Sequence, residues 1–219
     1  MDEEQLKQVA AQLRKPQGEA GVYTMEWMNK GNFNMHQSVL KVLDSKEDDN
    51  ILELGMANGF YVKDILFGNP QVKYSGCDFS ELMIEEALTL NSDFIKKGQA
   101  SFIHADISSL PYKDALFNKV FTVNTIYFWE DVYRILVEIK RVLKADGQLI
   151  IALRPKHYTE KYPFIKYGFN QFSKEDVTKM LLQHGFIVTE IHENPEPDFE
   201  MNGEIMKMEN LIVVSAKEK

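Results

Sequence analysis

The stretch ILELGMANGF, residues 51–60, governs how the rest of the chain is interpreted. Its first half is a short apolar run that carries one carboxylate, Glu53, and its second half contains the small residues Gly55, Ala57 and Gly59. A buried strand that ends in a glycine turn and leads into a helix forms the crevice in which α/β proteins bind ligands. We therefore expect a small ligand to approach the backbone of this turn closely.

The segments on either side alternate between short apolar or β-branched runs and longer runs at helical spacing. This alternation is typical of a parallel sheet covered by helices. Seven strands are predicted, over residues 50–55, 73–78, 100–106, 119–124, 147–154, 186–194 and 210–217. No helix is predicted between the last two, so they should pair as an antiparallel hairpin. The expected fold is an α/β three-layer sandwich with a seven-stranded, mostly parallel sheet and an antiparallel last strand.

Helices are predicted between these strands, over residues 60–66, 81–90, 132–143 and 174–184. Two of them follow a serine, Ser80 or Ser173, whose hydroxyl can accept a hydrogen bond from the first turn of the helix. Asp176 stands three residues after Ser173, at the spacing of a capping box. These start signals support the predicted alternation of strands and helices.

The 219 residues suffice for one α/β domain with a filled core but not for two ordinary domains. We expect residues 1–45 to form a helical cap and residues 46–219 to form the ligand-binding domain. The cap segment is rich in aromatic and methionine side chains, as is the insertion HYTEKYPFIKYGFNQF after the fifth strand. Two interpretations of the cap remain open. It packs on the core as a pair of helices, or it closes the binding site as a lid.

The formal net charge of -8 opposes the attraction to phosphate that supplies most non-specific nucleic-acid affinity, so we expect no nucleic-acid partner. No segment has the roughly 18 uncharged apolar residues that a membrane helix needs. The start MDEEQLKQVAAQLRK carries acids where a secretory signal would be basic. We therefore expect a cytoplasmic protein without membrane insertion. The single cysteine, Cys77, lies in a predicted strand and is expected to be a buried thiol.

The glycine run differs from both common phosphate-binding turns. A dinucleotide fingerprint requires a third glycine where this chain has Phe60, and no Gly-Lys-Ser/Thr follows as in a Walker loop. The run instead resembles the E-x-G-x-G-x-G motif of class I S-adenosylmethionine-dependent methyltransferases, with Ala57 in place of the middle glycine. The added methyl group is tolerable unless Ala57 needs a positive φ. The resemblance implies a Rossmann-like fold, S-adenosyl-L-methionine as cofactor and S-adenosyl-L-homocysteine as product.

The ends of the later strands continue the resemblance, from about residue 50 to residue 154. By analogy with this family, Asp78 would accept hydrogen bonds from both ribose hydroxyls, and Phe79 would pack against the adenine. Asp106 and the Ile107 N–H would bind the adenine edge, and Asn124 would lie near the transferred methyl group. The cofactor-binding residues implied are Glu53, Gly55, Ala57, Gly59, Asp78, Phe79, Asp106, Ile107 and Asn124.

The acceptor site is less explicit, because alignment and desolvation can supply much of the catalysis without a dedicated catalytic residue. Candidate wall residues are Tyr23, His36, Tyr127, Trp129 and His157. Each also has a structural interpretation as a packing aromatic or a solvated loop histidine. No His, Cys, Asp or Glu cluster has metal-ligand spacing, so no metal is expected.

A small-molecule acceptor is the first hypothesis for the methyltransferase. A binding or regulatory module without turnover and a methyltransferase acting on protein or RNA remain alternatives. A nicotinamide dehydrogenase is disfavoured by Phe60 and by the acidic strand ends. The oligomeric state does not follow from the sequence.

Overall fold

Three helices precede the first strand in the computed structural model, which describes residues 1–201 and 204–218. They are α1 (Glu3–Arg14), α2 (Gly18–Gly31) and α3 (Phe33–Leu43). The strands are β1 (Asn50–Leu54), β2 (Lys73–Asp78), β3 (Ala100–His104), β4 (Phe117–Val123), β5 (Leu143–Leu153), β6 (Phe186–Met201) and β7 (Glu204–Lys217). The later helices are α4 (Val62–Leu66), α5 (Glu81–Leu90), α6 (Ser92–Lys96), α7 (Val132–Val142), α8 (Lys156–Thr159) and α9 (Lys174–Gln183), and a 3-10 turn covers Ile126–Phe128.

The strands form one seven-stranded sheet in the order β3-β2-β1-β4-β5-β7-β6. The ladders from β3 to β5 are parallel, and β7 pairs antiparallel with both β5 and β6. The predicted mostly parallel sheet with an antiparallel last strand is therefore confirmed. The chain leaves β1 in one direction to β2 and returns on the other side to β4. A crevice opens at such a switch point, outside the carboxyl ends of the strands.

Apolar side chains cover both faces of this sheet, as parallel strands buried on both sides require. On one face, α7 and α9 pack over β4 and β5 through residues such as Leu136, Ile139 and Val177. On the other face, Met35 and Val39 of α3 pack into the same cluster as the strand residues of β1 and β4. Cys77 is fully buried within the first cluster, as expected for a structural thiol.

Two predicted helix starts are confirmed in atomic detail. The Ser80 hydroxyl accepts a hydrogen bond from the Met83 N–H at the start of α5. Ser173 and Asp176 form the expected capping box at the start of α9. Each cap satisfies an N–H group that the helix itself leaves without a partner.

The last hairpin is longer than predicted. The sequence places strands at residues 186–194 and 210–217, but the pairing of β6 with β7 extends as far as Met201 and Glu204. The sequence predicts a connection there because the intervening run, PEPDFEMNGEIMKME, is mostly polar. Among the described residues, no helix has both the length and the apolar character needed to cross a membrane.

Candidate active site

A cavity of about 300 Å³ opens at the carboxyl ends of β1, β2, β3 and β4. It brings together most of the residues singled out in the sequence. Those that line it are Glu53, Gly55, Ala57, Asp78, Phe79, Asp106, Ile107, Asn124, His36 and Trp129. Residues more than 90 positions apart in the sequence therefore surround one space.

Four of the candidates lie elsewhere. Tyr23 projects from α2 with 74% of its surface exposed, and the His157 ring is 61% exposed beside the Glu209 carboxylate, at 3.5 Å. Tyr127 is buried behind the cavity wall, where its hydroxyl donates to Asn124 Oδ1 at 2.8 Å. Gly59 belongs to the turn, but a Cβ there would lie 3.0 Å from Asn91 Nδ2, so close packing explains this glycine.

The glycine turn follows a left-handed path at three alternate positions. Gly55 and Gly59 have φ values of 68° and 63°, and Ala57 between them has a φ of 50°. Ala57 therefore has the positive φ at which its methyl group is costly, because a residue with a side chain is strained by about 1 kcal/mol or more in the left-handed region. A Cβ on Gly55 would lie only 2.4 Å from the Thr125 methyl carbon, so this position requires glycine for packing as well.

The N–H groups of the turn are largely used within the protein. The Gly55 and Met56 N–H groups donate to the Cys77 carbonyl at 2.8 and 3.3 Å, and the Gly59 N–H donates to the Met56 carbonyl at 3.0 Å. The Ala57 N–H donates to Asp78 Oδ2 at 3.1 Å. A phosphate-binding loop instead points successive N–H groups at the anion. This turn is therefore not arranged as a phosphate cradle.

Asp78 ends β2 as a buried carboxylate at the cavity wall. Burial raises the pKa of this carboxyl to about 6, and hydrogen bonds from the backbone N–H groups of Ser80 and Ala57 partly offset that rise. Each carboxylate oxygen accepts one of these bonds, at 2.9 Å from Ser80 and 3.1 Å from Ala57. Since a carboxylate has about four acceptor positions, Asp78 retains capacity for two donors of a ligand.

Glu53 is a second buried carboxylate, on β1. Burial and the neighbouring Asp78 charge raise its pKa to about 7, while a hydrogen bond from the Tyr74 hydroxyl, at 2.6 Å, acts in the opposite direction. Ionising both Glu53 and Asp78 is costly because their negative charges repel each other. A positively charged ligand beside them would reduce that cost and would itself be stabilised.

Asp106 differs from both, because it lies exposed just beyond β3. Hydrogen bonds from Ser108, including one from its N–H at 2.8 Å, hold the pKa of Asp106 below its usual value. This carboxyl group is therefore ionised at neutral pH. It lines the cavity next to Ile107 and Ser108.

The opposite wall is built around Asn124, which follows β4 with a φ of 56°. Asn124 Nδ2 donates to Asn32 Oδ1 at 3.0 Å, which joins the start of α3 to the end of β4. One helical turn after Asn32, the His36 ring stacks on Tyr61 with 3.9 Å between the ring centroids. Burial lowers the pKa of His36 to about 3, so the imidazole is neutral at physiological pH.

The link between α1 and α2 borders the cavity and is fixed by contacts at two points. The Ser80 hydroxyl donates to the Pro16 carbonyl at 2.6 Å in a buried hydrogen bond. On the other side, the Arg14 guanidinium forms an ion pair with the exposed Glu130 carboxylate. Arg14 and Pro16 line the cavity but carry no pattern in the sequence that marks them as site residues. The sequence predicts only that both residues belong to the cap segment, residues 1–45.

Two lining residues, Asn58 and Trp129, each leave a buried polar atom without a hydrogen-bond partner among the described residues. Trp129 was expected at the acceptor wall, whereas Asn58 was not recognised although it lies inside the glycine turn. Within the described part of the chain, Asn58 Oδ1 and Trp129 Nε1 are both buried without a hydrogen-bond partner. A buried polar atom left in this way costs about 1–3 kcal/mol, which a polar ligand in the cavity could offset.

Residues 52–151 match the family model described as a methyltransferase domain. YrhH of Bacillus subtilis, which carries a provisional methyltransferase name, is 31% identical over 111 residues, covering 51% of this chain and 61% of that protein. The O-methyltransferase resE of Aspergillus sclerotiorum is 29% identical over 127 residues, covering 58% of this chain and 48% of resE. The chain thus spans about half to two thirds of the length of the curated relatives it matches.

The fold also matches a solved structure over nearly its whole length. A chain of the complex between the Haloferax volcanii Trm112 methyltransferase activator and its methyltransferase partner superposes with a TM-score of 0.79 at 17% identity. The match covers 92% of this chain and 96% of that one. At such low identity it bears on the fold alone. The family match, which runs from β1 to β5, supports the resemblance to class I S-adenosylmethionine-dependent methyltransferases that the sequence motifs indicate.

Proposed function

We propose that this protein is an S-adenosylmethionine-dependent methyltransferase that acts on a small-molecule acceptor. The observation that carries the proposal is the meeting of the glycine turn with Glu53 and Asp78, both buried, in one cavity. The chemistry of this donor set fits the cofactor, which has two positive charges and two ribose hydroxyls. It does not fit a pyrophosphate, which adjacent carboxylates would repel.

Named residues would hold the separate parts of the cofactor. Asp78 would accept from the ribose hydroxyls, Glu53 would face the positive charge, and Asp106 with Ile107 would receive the adenine edge. When bound, the cofactor supplies a methyl group on a positively charged sulfur. The protein would contribute alignment of the acceptor and exclusion of water, which can together be worth roughly 7 to 11 kcal/mol.

The small-molecule assignment rests on the shape of the site. The helices of the cap, residues 1–45, contribute Leu13, Met28 and His36 to the cavity wall, which leaves about 300 Å³ for ligands. We propose that this cap acts as the lid of the domain formed by residues 46–219. The match to the O-methyltransferase resE supports oxygen as the methyl-accepting atom. The cytoplasmic location and the lack of a nucleic-acid partner stay predictions from composition.

Calorimetric titration with S-adenosylhomocysteine tests the cofactor assignment. We expect the parent protein to bind it and Asp78→Asn to weaken binding by about 1.5–3 kcal/mol, the scale of hydrogen bonds to a charged group. Asp93→Asn is the matched control, because Asp93 lies exposed on α6, 3.9 Å from Lys96. An Asp78→Asn protein that melts like the parent and binds equally tightly would remove Asp78 from the ribose site.

Turnover separates the enzyme from a binding module without activity. The assay follows formation of S-adenosylhomocysteine over a panel of hydroxyl, amine, thiol and carboxylate compounds. A relative of known structure is described with a methyltransferase activator, so a panel of candidate activator proteins belongs in the same assay. Tight cofactor binding with no turnover under any of these conditions would favour the binding module.

A further inference from the structure

His36 is held at a defined place in the cavity by contacts from two sides. Its ring stacks on Tyr61 at an interplanar angle of 19°, and Tyr61 lies two residues after Gly59, which ends the glycine turn. Its own helix, α3, directly follows the N-cap residue Asn32, whose side chain accepts a hydrogen bond from Asn124 just after β4. Residues four apart on a helix lie on one face, so His36 sits one turn from the contact between Asn32 and Asn124.

The side chains joined in this part of the wall are neutral hydrogen-bonding groups. Asn32, Asn124 and Tyr127 form one chain of hydrogen bonds, in which the Tyr127 hydroxyl also accepts from the Arg154 N–H at 2.6 Å. The nearby Arg154 guanidinium is neutralised by the Glu196 carboxylate at 2.9 Å in a buried ion pair. Burial also keeps the His36 imidazole neutral, with a lone pair available on one ring nitrogen.

This combination discriminates between classes of methyl acceptor. A carboxylate or thiolate arrives without a proton and would require a cation to pair with it. A neutral amine attacks through its own lone pair and can keep its proton. A hydroxyl group is the nucleophile that needs a neutral hydrogen-bond acceptor to take its proton.

Building on the proposed function, we propose that His36 is a catalytic base and that the acceptor is a neutral alcohol or phenol whose O–H hydrogen-bonds to the imidazole. The acceptor oxygen gains the methyl group and gives up its proton to His36 as the carbon–sulfur bond breaks with its electron pair going to sulfur. The positive charge lost from sulfur therefore reappears on the imidazolium. Solvent removes that proton when the product leaves.

A binding experiment tests the hydrogen bond without turnover. The probes are 4-chlorophenol and its methyl ether, measured by ligand-observed NMR on the full chain saturated with S-adenosylhomocysteine. We expect the phenol to bind about 2- to 10-fold more tightly than the ether, as one neutral hydrogen bond implies. His36→Leu should abolish this preference, and His36→Gln, which keeps an acceptor atom, should retain most of it. His157→Leu and His157→Gln are matched controls, because His157 lies outside the cavity.

A rate experiment then separates the base from a hydrogen-bond acceptor. Formation of S-adenosylhomocysteine is followed with phenol, 4-chlorophenol and 4-nitrophenol, which are increasingly acidic. The ratio of parent to His36→Gln rates should be on the order of 100 for phenol and fall toward 1 for 4-nitrophenol, which ionises without a base. Melting temperature and S-adenosylhomocysteine affinity establish that each variant is folded.

The outcomes distinguish this inference from the proposed function. Equal binding of phenol and ether by the parent, no binding of either, or a preference that survives in His36→Leu would overturn the role of His36. A rate ratio that stays constant across the phenols, or turnover of carboxylates in their place, would do the same. Failure of the parent to bind S-adenosylhomocysteine at all would instead overturn the proposed function.

Discussion

The two walls of the cavity are built in different ways. The cofactor wall consists of the ends of β1 and β2 with the turn between residues 55 and 59, where the backbone of the turn hydrogen-bonds to the neighbouring strand β2. The acceptor wall joins segments far apart in the chain, through Asn32 to Asn124 and through Arg14 to Glu130. One wall is fixed by the sheet, and the other depends on a few side-chain contacts. Changes in the first should therefore cost stability, and changes in the second should alter ligand exchange.

The largest expected effect is in the glycine turn. Gly55→Ala places a methyl group 2.4 Å from the Thr125 side chain at a φ of 68°, so we expect a loss of about 2–4 kcal/mol in the free energy of unfolding. Gly68→Ala is the matched control, because Gly68 has a φ of 81° but open space around its Cβ. Urea unfolding measures both. Equal losses in the two variants would show that backbone strain, and not the packing of the cofactor wall, determines the cost.

The second effect is the pH dependence of stability caused by Glu53. Its pKa is about 7 in the folded protein against an ordinary value of 4.5, so the unfolded chain releases this proton at lower pH than the folded protein. The contribution of Glu53 to stability is therefore fully present below about pH 4.5 and lost as pH rises to about 7. The loss is on the order of 2 kcal/mol, because water entering the cavity reduces the full burial penalty.

Glu53→Gln should remove this part of the pH dependence, since the amide is neutral throughout. The measurement is the difference in unfolding free energy between pH 5 and pH 8 for the parent and the variant. Glu85→Gln, on the outer face of α5, serves as a control for loss of a carboxylate. Identical pH profiles for parent and Glu53→Gln would contradict the assignment of a costly buried charge to the cofactor wall.

The same contrast explains which features could be predicted from the sequence. Strand ends follow from apolar runs, so the sequence predicts the antiparallel β7, which is confirmed, and it marks Glu53 and Asp78, which both line the cavity. The long extension of the β6–β7 hairpin was not predicted, because its sequence is mostly polar and shows no clear hydrophobic periodicity. Local patterns do not specify which distant segments meet.

The acceptor wall shows this limit residue by residue. Tyr23 and Tyr127 are both aromatic residues near the site, yet one is solvent-exposed and the other is a buried hydrogen-bonding partner of Asn124. His36 and His157 both lie in segments expected to cover the site, but only His36 reaches the cavity. The direction of each side chain depends on how its helix packs, which follows from contacts made across the whole fold.

The smallest expected effect concerns the ion pair between Arg14 and Glu130. The side chains are 41% and 77% exposed, so the pair is worth at most about 1 kcal/mol and is weakened by salt. It lies at one end of the strap formed by residues 12–17, whose other end is held by the buried bond from Ser80 to Pro16. If the strap opens at its weaker end, Glu130→Ala should speed S-adenosylhomocysteine dissociation about 2- to 5-fold while leaving the melting temperature within a degree or two.

Stopped-flow displacement of S-adenosylhomocysteine at low and high salt measures the dissociation rate. The exchanged pair Arg14→Glu with Glu130→Arg should restore slow dissociation, and Asp131 is left intact because it caps α7. If S-adenosylhomocysteine dissociates from Glu130→Ala as slowly as from the parent at all salt concentrations, the ion pair does not control its exchange. The buried contacts, such as the hydrogen bond from Ser80 to Pro16, would then fix the strap alone, and the acceptor wall would be as rigid as the cofactor wall.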